Sequence, residues 1–292
     1  YKQLKRAVDE GKTPVLAVGL SAIHKAHLAA ALGLDTGRPV LVLTDDDNAA
    51  NRFAADLRGF SERDIVQLPS RELVMADVVG VSRGYEQRRL AALDELTEAH
   101  FAVASVQAAA QRTMPPEALK AAIVSLATGE TAPLDELAQS LTRAGYERCV
   151  QVEGTGQFSI RGGILDVFPP QAEHPYRVEF WDDEIDSIST FDVGSQRRLE
   201  QCECLRCLPC MESIPALAKA VLALTSTRRK KQHADLQTNL ERDAERLRET
   251  GSLPAADKYM PLIYPEMATA FDYLPENAIV LIEDTPRLRD AV

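Results

Sequence analysis

The sequence lacks any apolar run long enough to cross a bilayer. Its longest stretches, Pro14–Leu20 and Ala278–Ile282, fall far short of the roughly 18 residues a spanning helix requires, so no membrane association is expected. Positive charge is also short: 33 Lys and Arg against 44 Asp and Glu give a formal net charge of −11. That balance works against a broad grip on DNA or RNA, where phosphates must be neutralised, and leaves room only for a local basic patch. There is no nucleophile elbow, no internal repeat and no low-complexity segment. The five histidines, His24, His27, His100, His174 and His233, have no metal-type spacing. Cysteines number five, an odd count that argues against a disulfide framework.

Four of those cysteines, Cys202, Cys204, Cys207 and Cys210, crowd into nine residues. Two readings stand. Thiolates spaced C-x-C-x2-C-x2-C could converge on zinc or an iron–sulfur cluster. Alternatively the segment is a β-strand with Cys202 and Cys204 on one face, running into a break at Pro209, with the thiols acting as small hydrophobes. The second is the expectation, with no metal and a reducing, cytoplasmic setting.

What the chain does contain is a globular balance, 45% hydrophobic and 26% charged residues. Its 292 residues suit two or three compact units. It starts at Tyr1 without a Met or a signal-like apolar run and stops at Val292 inside an expected helix, so it is expected to be part of something longer.

Short apolar runs alternate with helical patterns over the first hundred residues. Strands are expected at Val15–Val18, Val40–Leu43, Ile65–Leu68 and Phe101–Ser105, and helices at Ala22–Leu32, Asn48–Phe60 and Tyr85–Leu96. Strands separated by helices imply a parallel sheet with helices on both faces. Asp45, Asp46 and Asp47 suit the N-terminus of the Asn48–Phe60 helix, where acidic groups favour the macrodipole. Beyond Met114 the pattern changes. After a helix at Leu134–Ala144 come strands near Phe158–Ile160, Ile164–Phe168, Tyr176–Trp181 and Ile185–Phe191, punctuated by glycines. Helices return at Pro215–Leu224, Ala234–Leu247 and Pro286–Ala291, around one strand at Ala278–Ile282. A lone strand cannot form a sheet, so it is assigned to the sheet of the first unit. The fold class is therefore α/β: a domain with a parallel sheet made of 1–115 and 210–292, interrupted by a small α+β insertion at 116–209.

Gly19-Leu20-Ser21-Ala22-Ile23-His24-Lys25-Ala26 sits where a phosphate-binding loop would sit, between a strand and a helix. The template G-x-x-x-x-G-K-[ST] needs a second glycine for close backbone approach and a hydroxyl for magnesium. Here those positions are His24 and Ala26, and only Gly19 and Lys25 fit. No ATP binding is expected from this loop.

The most informative stretch runs Gln157-Phe158-Ser159-Ile160-Arg161-Gly162-Gly163-Ile164-Leu165-Asp166-Val167-Phe168-Pro169, followed by Tyr176-Arg177-Val178-Glu179-Phe180-Trp181-Asp182-Asp183-Glu184-Ile185-Asp186. On an alternating strand Val178 and Phe180 share the core side, and Arg177, Glu179 and Trp181 share the other. Arg161 on the preceding strand can join that second face. Arg and Trp are the types most enriched at binding hot spots, so an Arg–Trp–Arg patch is one reading. An ordinary solvated face, with Arg177 paired to Glu179 or Asp183, is the other.

The same residues resemble the second domain of nucleotide excision repair proteins, with its R-G-G-x-x-D-[IV]-[FY]-P strand, its x-R-x-[ED]-F-[FW] strand and its acidic turn. The excinuclease component UvrB and the transcription-repair coupling factors (Mfd) share that pattern. The decayed loop at Gly19–Ala26 is similar to the coupling factors, as are Leu68-Pro69-Ser70-Arg71-Glu72 and Phe191-Asp192-Val193-Gly194-Ser195-Gln196-Arg197. The resemblance implies a non-catalytic, UvrB-like N-terminal module that binds UvrA, with Arg161 and Arg177 matching interface arginines and Trp181 standing where an aromatic contributes. It also implies an ATP-driven motor, an RNA polymerase contact and double-stranded DNA binding outside these residues. The alternatives are a fragment of UvrB or a related helicase with ATP at Gly19–Ala26, and a metal module at Cys202–Cys210.

Overall fold

The computed structural model describes residues 1–71, 84–213, 234–250, 253 and 256–283. The expected helices at Pro215–Leu224 and Pro286–Ala291 lie outside the described residues. The chain divides into two compact units, one comprising Tyr1–Arg71, Ala92–Arg112 and Ala268–Val292, the other Glu72–Ala91 and Thr113–Met267.

The first unit is built on a parallel four-stranded sheet. Its strands are β1 (Val40–Thr44), β2 (Ile65–Leu68), β3 (Phe101–Ser105) and β12 (Ile279–Ile282), in the order β12-β1-β3-β2. β12 pairs with β1 in parallel, Val40 opposite Ile279, so the solitary C-terminal strand joins the first sheet as expected. Every residue of β1 and β3 is buried, the pattern of central parallel strands covered on both faces. Helices α1 (Lys2–Asp9), α2 (Ala22–Thr36) and α3 (Asp47–Arg58) pack on the sheet through Val8, Ala26, Ala29, Leu32, Phe53 and Leu57. Asp46 caps α3, its carboxylate accepting from the Ala49 N–H at 2.6 Å, which gives the acidic cluster its local role. Gly33 sits where helix and sheet approach closely: a Cβ there would come within 2.5 Å of the Phe101 ring. Three more helices follow β2 in the chain, α4 (Gly84–Leu96), α5 (Val106–Ala110) and α6 (Pro116–Ala122).

One expected strand is missing. Residues Val15–Val18 take no regular secondary structure and pair in no ladder, and Leu16 is 82% exposed. A strand exists only through its neighbours, and an apolar run supplies no partner by itself. Pro14 at its start also removes a donor that a ladder would use.

The second unit holds a six-stranded sheet of β5 (Glu147–Arg148), β6 (Gln157–Arg161), β7 (Ile164–Phe168), β8 (Tyr176–Trp181), β9 (Glu184–Phe191) and β10 (Arg198–Cys202). From β6 to β10 it is an antiparallel meander; β5 joins β6 in parallel. A separate two-stranded ribbon pairs β4 (Val124–Ala127) with β11 (Cys204–Cys207). One face of the large sheet packs on α7 (Leu134–Arg143), burying Leu137, Leu141, Phe158, Leu165, Val167, Val178, Ile185 and Ile188. Each such aliphatic side chain contributes about 1.5–3 kcal/mol through burial. Ile164 stands opposite Arg161 and Glu179 on the other face, because alternation from the buried Leu165 turns it outward. Farther along, α8 (Ala234–Thr250) packs Ala244 with Leu253 and Tyr259 in a small satellite cluster.

Candidate functional site

Two tight hairpins shape the end of the sheet that carries Arg161 and Trp181. Arg161 pairs with Ile164 across the two-residue turn Gly162-Gly163, whose first position has φ 59°. A left-handed first position followed by a normal second one favours glycine. The next hairpin pairs Trp181 with Glu184 across Asp182-Asp183, with Asp182 at φ 57°, a conformation that Asp tolerates. The pairing register slips by one between Glu179 and Phe180, leaving Asp186 as the extra residue of a bulge on β9. The Phe180 N–H then donates to Gly163 O at 2.8 Å, which sets Trp181 beside the glycine turn. Phe180 packs against the core, and Trp181 is 81% exposed.

The face away from α7 is mostly covered, contrary to the expectation of an open sheet surface. Ser159, Asp166 and Ser189 are buried there. The segment after β5 lies against it, with Ser159 Oγ donating to Val150 O at 2.8 Å. From the other side comes the turn between β9 and β10. Asp192 accepts from the Ser195 N–H and hydroxyl at 2.7 Å each, and Gln196 takes φ 59°. The Ser195 hydroxyl bond holds the Asp192 carboxyl below the usual carboxylate range. This turn is the F-D-x-x-[ST]-Q-R segment, and its product is to lay Gln196 over Arg177.

Arg177 is thereby enclosed. Its Nε donates to Asp166 Oδ1 at 2.7 Å and its Nη2 to Asp166 Oδ2 at 2.9 Å. It also donates to Gln196 O and Oε1, and its guanidinium stands 4.5 Å over the Phe191 ring. Only 15% of its side chain is exposed. The bonds to Asp166 raise its pKa further above the ordinary arginine value. Arg161, whose side chain is 48% exposed, reaches the same carboxylate with Nη2 2.6 Å from Asp166 Oδ2. The structure thus brings both arginines together through Asp166. Arg177 pairs with neither Glu179 nor Asp183. Glu179 is held by Arg198 and Ser187, and the Arg198 contact lowers its carboxyl pKa.

Asp166 is the residue that sequence reasoning passed over. It was legible in principle: flanked by the apolar pair Leu165 and Val167 on a central strand, a carboxylate with 1% of its side chain exposed must have a cationic or hydrogen-bonding partner.

The loop compared with a phosphate-binding template leads into α2 from a segment without regular secondary structure. Gly19 has φ 78°, and His24 Nδ1 lies 3.0 Å from Ser21 Oγ. Lys25 is tied to Glu283 at 2.9 Å. Ala26, at the position of the magnesium-binding hydroxyl, is fully buried in the core.

The four clustered cysteines do not share one strand. Cys202 ends β10 in the large sheet, whereas Cys204 begins β11 in the small ribbon, so the expected common face does not form. Cys204 is exposed, Cys202 packs at the edge of the core, and Cys207 and Cys210 are inside it. Burial pushes the Cys207 thiol up to about 12. Among the described residues no group of three or more His, Cys, Asp or Glu side chains is placed to hold a metal, and no helix is long and apolar enough to cross a membrane.

Residues 124–212 match the family model of the UvrB interaction domain. Over 99% of its length the chain is 31% identical to the transcription-repair-coupling factor of Bacillus subtilis, of which it covers 26%. It is 32% identical to that of Haemophilus influenzae over 82% of the chain and 21% of the relative. The Escherichia coli protein is 30% identical over 88% of the chain and 22% of the relative. The chain therefore spans about a quarter of the length of these relatives.

Proposed function

Because the chain belongs to the transcription-repair-coupling factor family, we propose that it is the non-catalytic recruiting module of such a factor and binds UvrA to bring excision repair to stalled RNA polymerase. The observation that carries this reading is the Trp181 indole, 81% exposed on the same antiparallel sheet as the half-exposed Arg161. A large apolar side chain held in water is costly to the isolated molecule and suits a partner surface. The contact face comprises Arg161, Arg177 and Trp181: Arg161 and Trp181 reach the partner, and Arg177 supports them from beneath. UvrA would offer an acidic group to Arg161 and an apolar recess to the indole. The match of residues 124–212 to the UvrB interaction domain supports the same site, since β6 to β10 lie within it.

Neither ATP nor a metal has a role in this reading. Positions that would hold phosphate and magnesium are filled by His24 and the buried Ala26. The ATP-driven motor and the contacts to RNA polymerase and double-stranded DNA belong to parts of the full-length protein outside these residues, acting in the cytoplasm. The test is a calorimetric titration of the chain with purified UvrA. Saturable binding that Trp181→Ala weakens by tenfold or more, about 1.4 kcal/mol, is the expected result. Equal affinity for both proteins would remove the face from consideration.

A further inference from the structure

We propose that Asp166 is a positioning residue for this interface: it presets the Arg161 guanidinium, and Arg161, not Arg177, supplies the cationic contact. The proposal rests on the recruiting reading above and goes beyond it in giving Asp166 the part of presetting Arg161.

Each arginine carries five N–H donors in a rigid fork. Arg177 makes four hydrogen bonds, two to Asp166 and two to Gln196, and is stacked over Phe191. Little of its fork remains to meet a partner. Arg161 makes one bond, from Nη2 to Asp166 Oδ2, and its half-exposed side chain leaves its other N–H groups for a partner. That single bond fixes where the free edge of the fork lies. The Asp166 carboxylate is itself immobile, because Arg177 holds both of its oxygens and the side chain is almost wholly buried.

Two consequences follow for the partner. The three groups sum to +2 − 1 = +1, so the site matches one carboxylate and not an acidic run. A planar fork held by one edge also favours a carboxylate that accepts two parallel bonds, which a lysine could not offer in its place. Presetting matters because an arginine that must be immobilised on binding loses affinity to ordering, and Asp166 has already ordered Arg161 in the free chain.

The experiment is a double-mutant cycle read by titration with UvrA. Asp166→Asn in the unaltered chain should weaken binding by about tenfold, whereas in an Arg161→Ala background it should change affinity by less than about twofold, because coupled residues are not additive. Equal losses in both backgrounds would mean that Asp166 acts only on the fold, and would overturn the positioning role. Since Asp166→Asn leaves Arg177 poorly paired and the variant could fail to fold, Arg161→Lys gives a second arm at a half-exposed site. It keeps the charge without the fork, and binding as tight as that of the unaltered chain would overturn the proposal. A third readout needs no partner. Arginine-side-chain NMR of the free chain should show slowed rotation of the Arg161 guanidinium; free rotation would refute the preset geometry even if UvrA binds. A slowed guanidinium in a chain that does not bind UvrA would instead sink the recruiting reading and keep the Asp166 contact.

Discussion

Lys25 Nζ lies 2.9 Å from Glu283 Oε1, joining the first turn of α2 to the end of β12 across 258 residues of sequence. In a nucleotide-binding loop that amine would meet phosphate; here it closes the first unit on itself. Both side chains are partly exposed, so the pair is worth at most about 1 kcal/mol, and Lys25→Ala should lower stability by no more than that. The variant should bind UvrA as the unaltered chain does. Millimolar Mg-ATP should leave the melting temperature unchanged, because only a ligand bound to the native state raises it. A rise of several degrees in differential scanning fluorimetry would contradict the reading of Gly19–Ala26.

Arg177 and Trp181 should separate stability from binding. Arg177→Ala leaves the buried Asp166 carboxylate with Arg161 alone, and stranding one partner of a largely buried pair costs about 3–5 kcal/mol. Its urea midpoint should fall well below that of the unaltered chain. Trp181→Ala removes an exposed side chain and should shift stability by no more than about 0.5 kcal/mol while weakening UvrA binding. If Arg177→Ala melts normally, the Asp166 cluster is not what holds the β9–β10 turn.

The same contrast explains what the sequence disclosed. Period-2 alternation placed Val178 and Phe180 on the core side, and the parallel sheet followed from strands spaced by helices. Alternation says which way a side chain leaves a strand, but not what later folds over it. The residues after Arg148 and the Asp192–Arg197 turn cover the second face, and that is a tertiary fact. For the same reason Val15–Val18 looked like a strand: the apolar pattern was there and the partner was not. Trp181 was legible because alternation set it on the face opposite Val178 and Phe180, and its indole is 81% exposed.

A buried ion pair in the second unit gives a further test. Arg89 and Glu212 are both fully buried, with Nε 3.4 Å from Oε1. Glu212 also accepts from the Thr113 hydroxyl at 2.6 Å, and its backbone carbonyl accepts from the Tyr264 hydroxyl at 2.9 Å. Glu212→Ala removes one charge of a buried ion pair together with the acceptor of the Thr113 hydroxyl, and should destabilise by about 3–5 kcal/mol in chemical denaturation. Glu212→Gln keeps the shape and an acceptor, and should cost less. Equal and small losses would show that the pair contributes little to the fold.

Thiol chemistry should divide the cysteine cluster by burial. Cys207 is pushed up to about 12 because its thiolate would lack water, and Tyr146, also buried, is raised well above the ordinary tyrosine value. In the native chain at pH 8 an alkylating reagent should therefore modify Cys204, which is exposed, and leave Cys207 and Cys210 intact, since the thiolate is the reacting form. Intact-mass spectrometry with peptide mapping reads this directly. The same shifts carry a pH dependence. Both groups bind their protons more tightly when folded than when unfolded, so below about pH 9 they favour neither state differently and stability is at its full value. As pH climbs from there towards 12 the unfolded chain loses protons that the folded chain retains, and stability falls. The urea midpoint should drop over that window, and Cys207→Ala should make the drop shallower although it lowers the plateau by opening a small cavity. A midpoint that holds steady between pH 9 and 11 would mean that Cys207 is not enclosed as the structure has it.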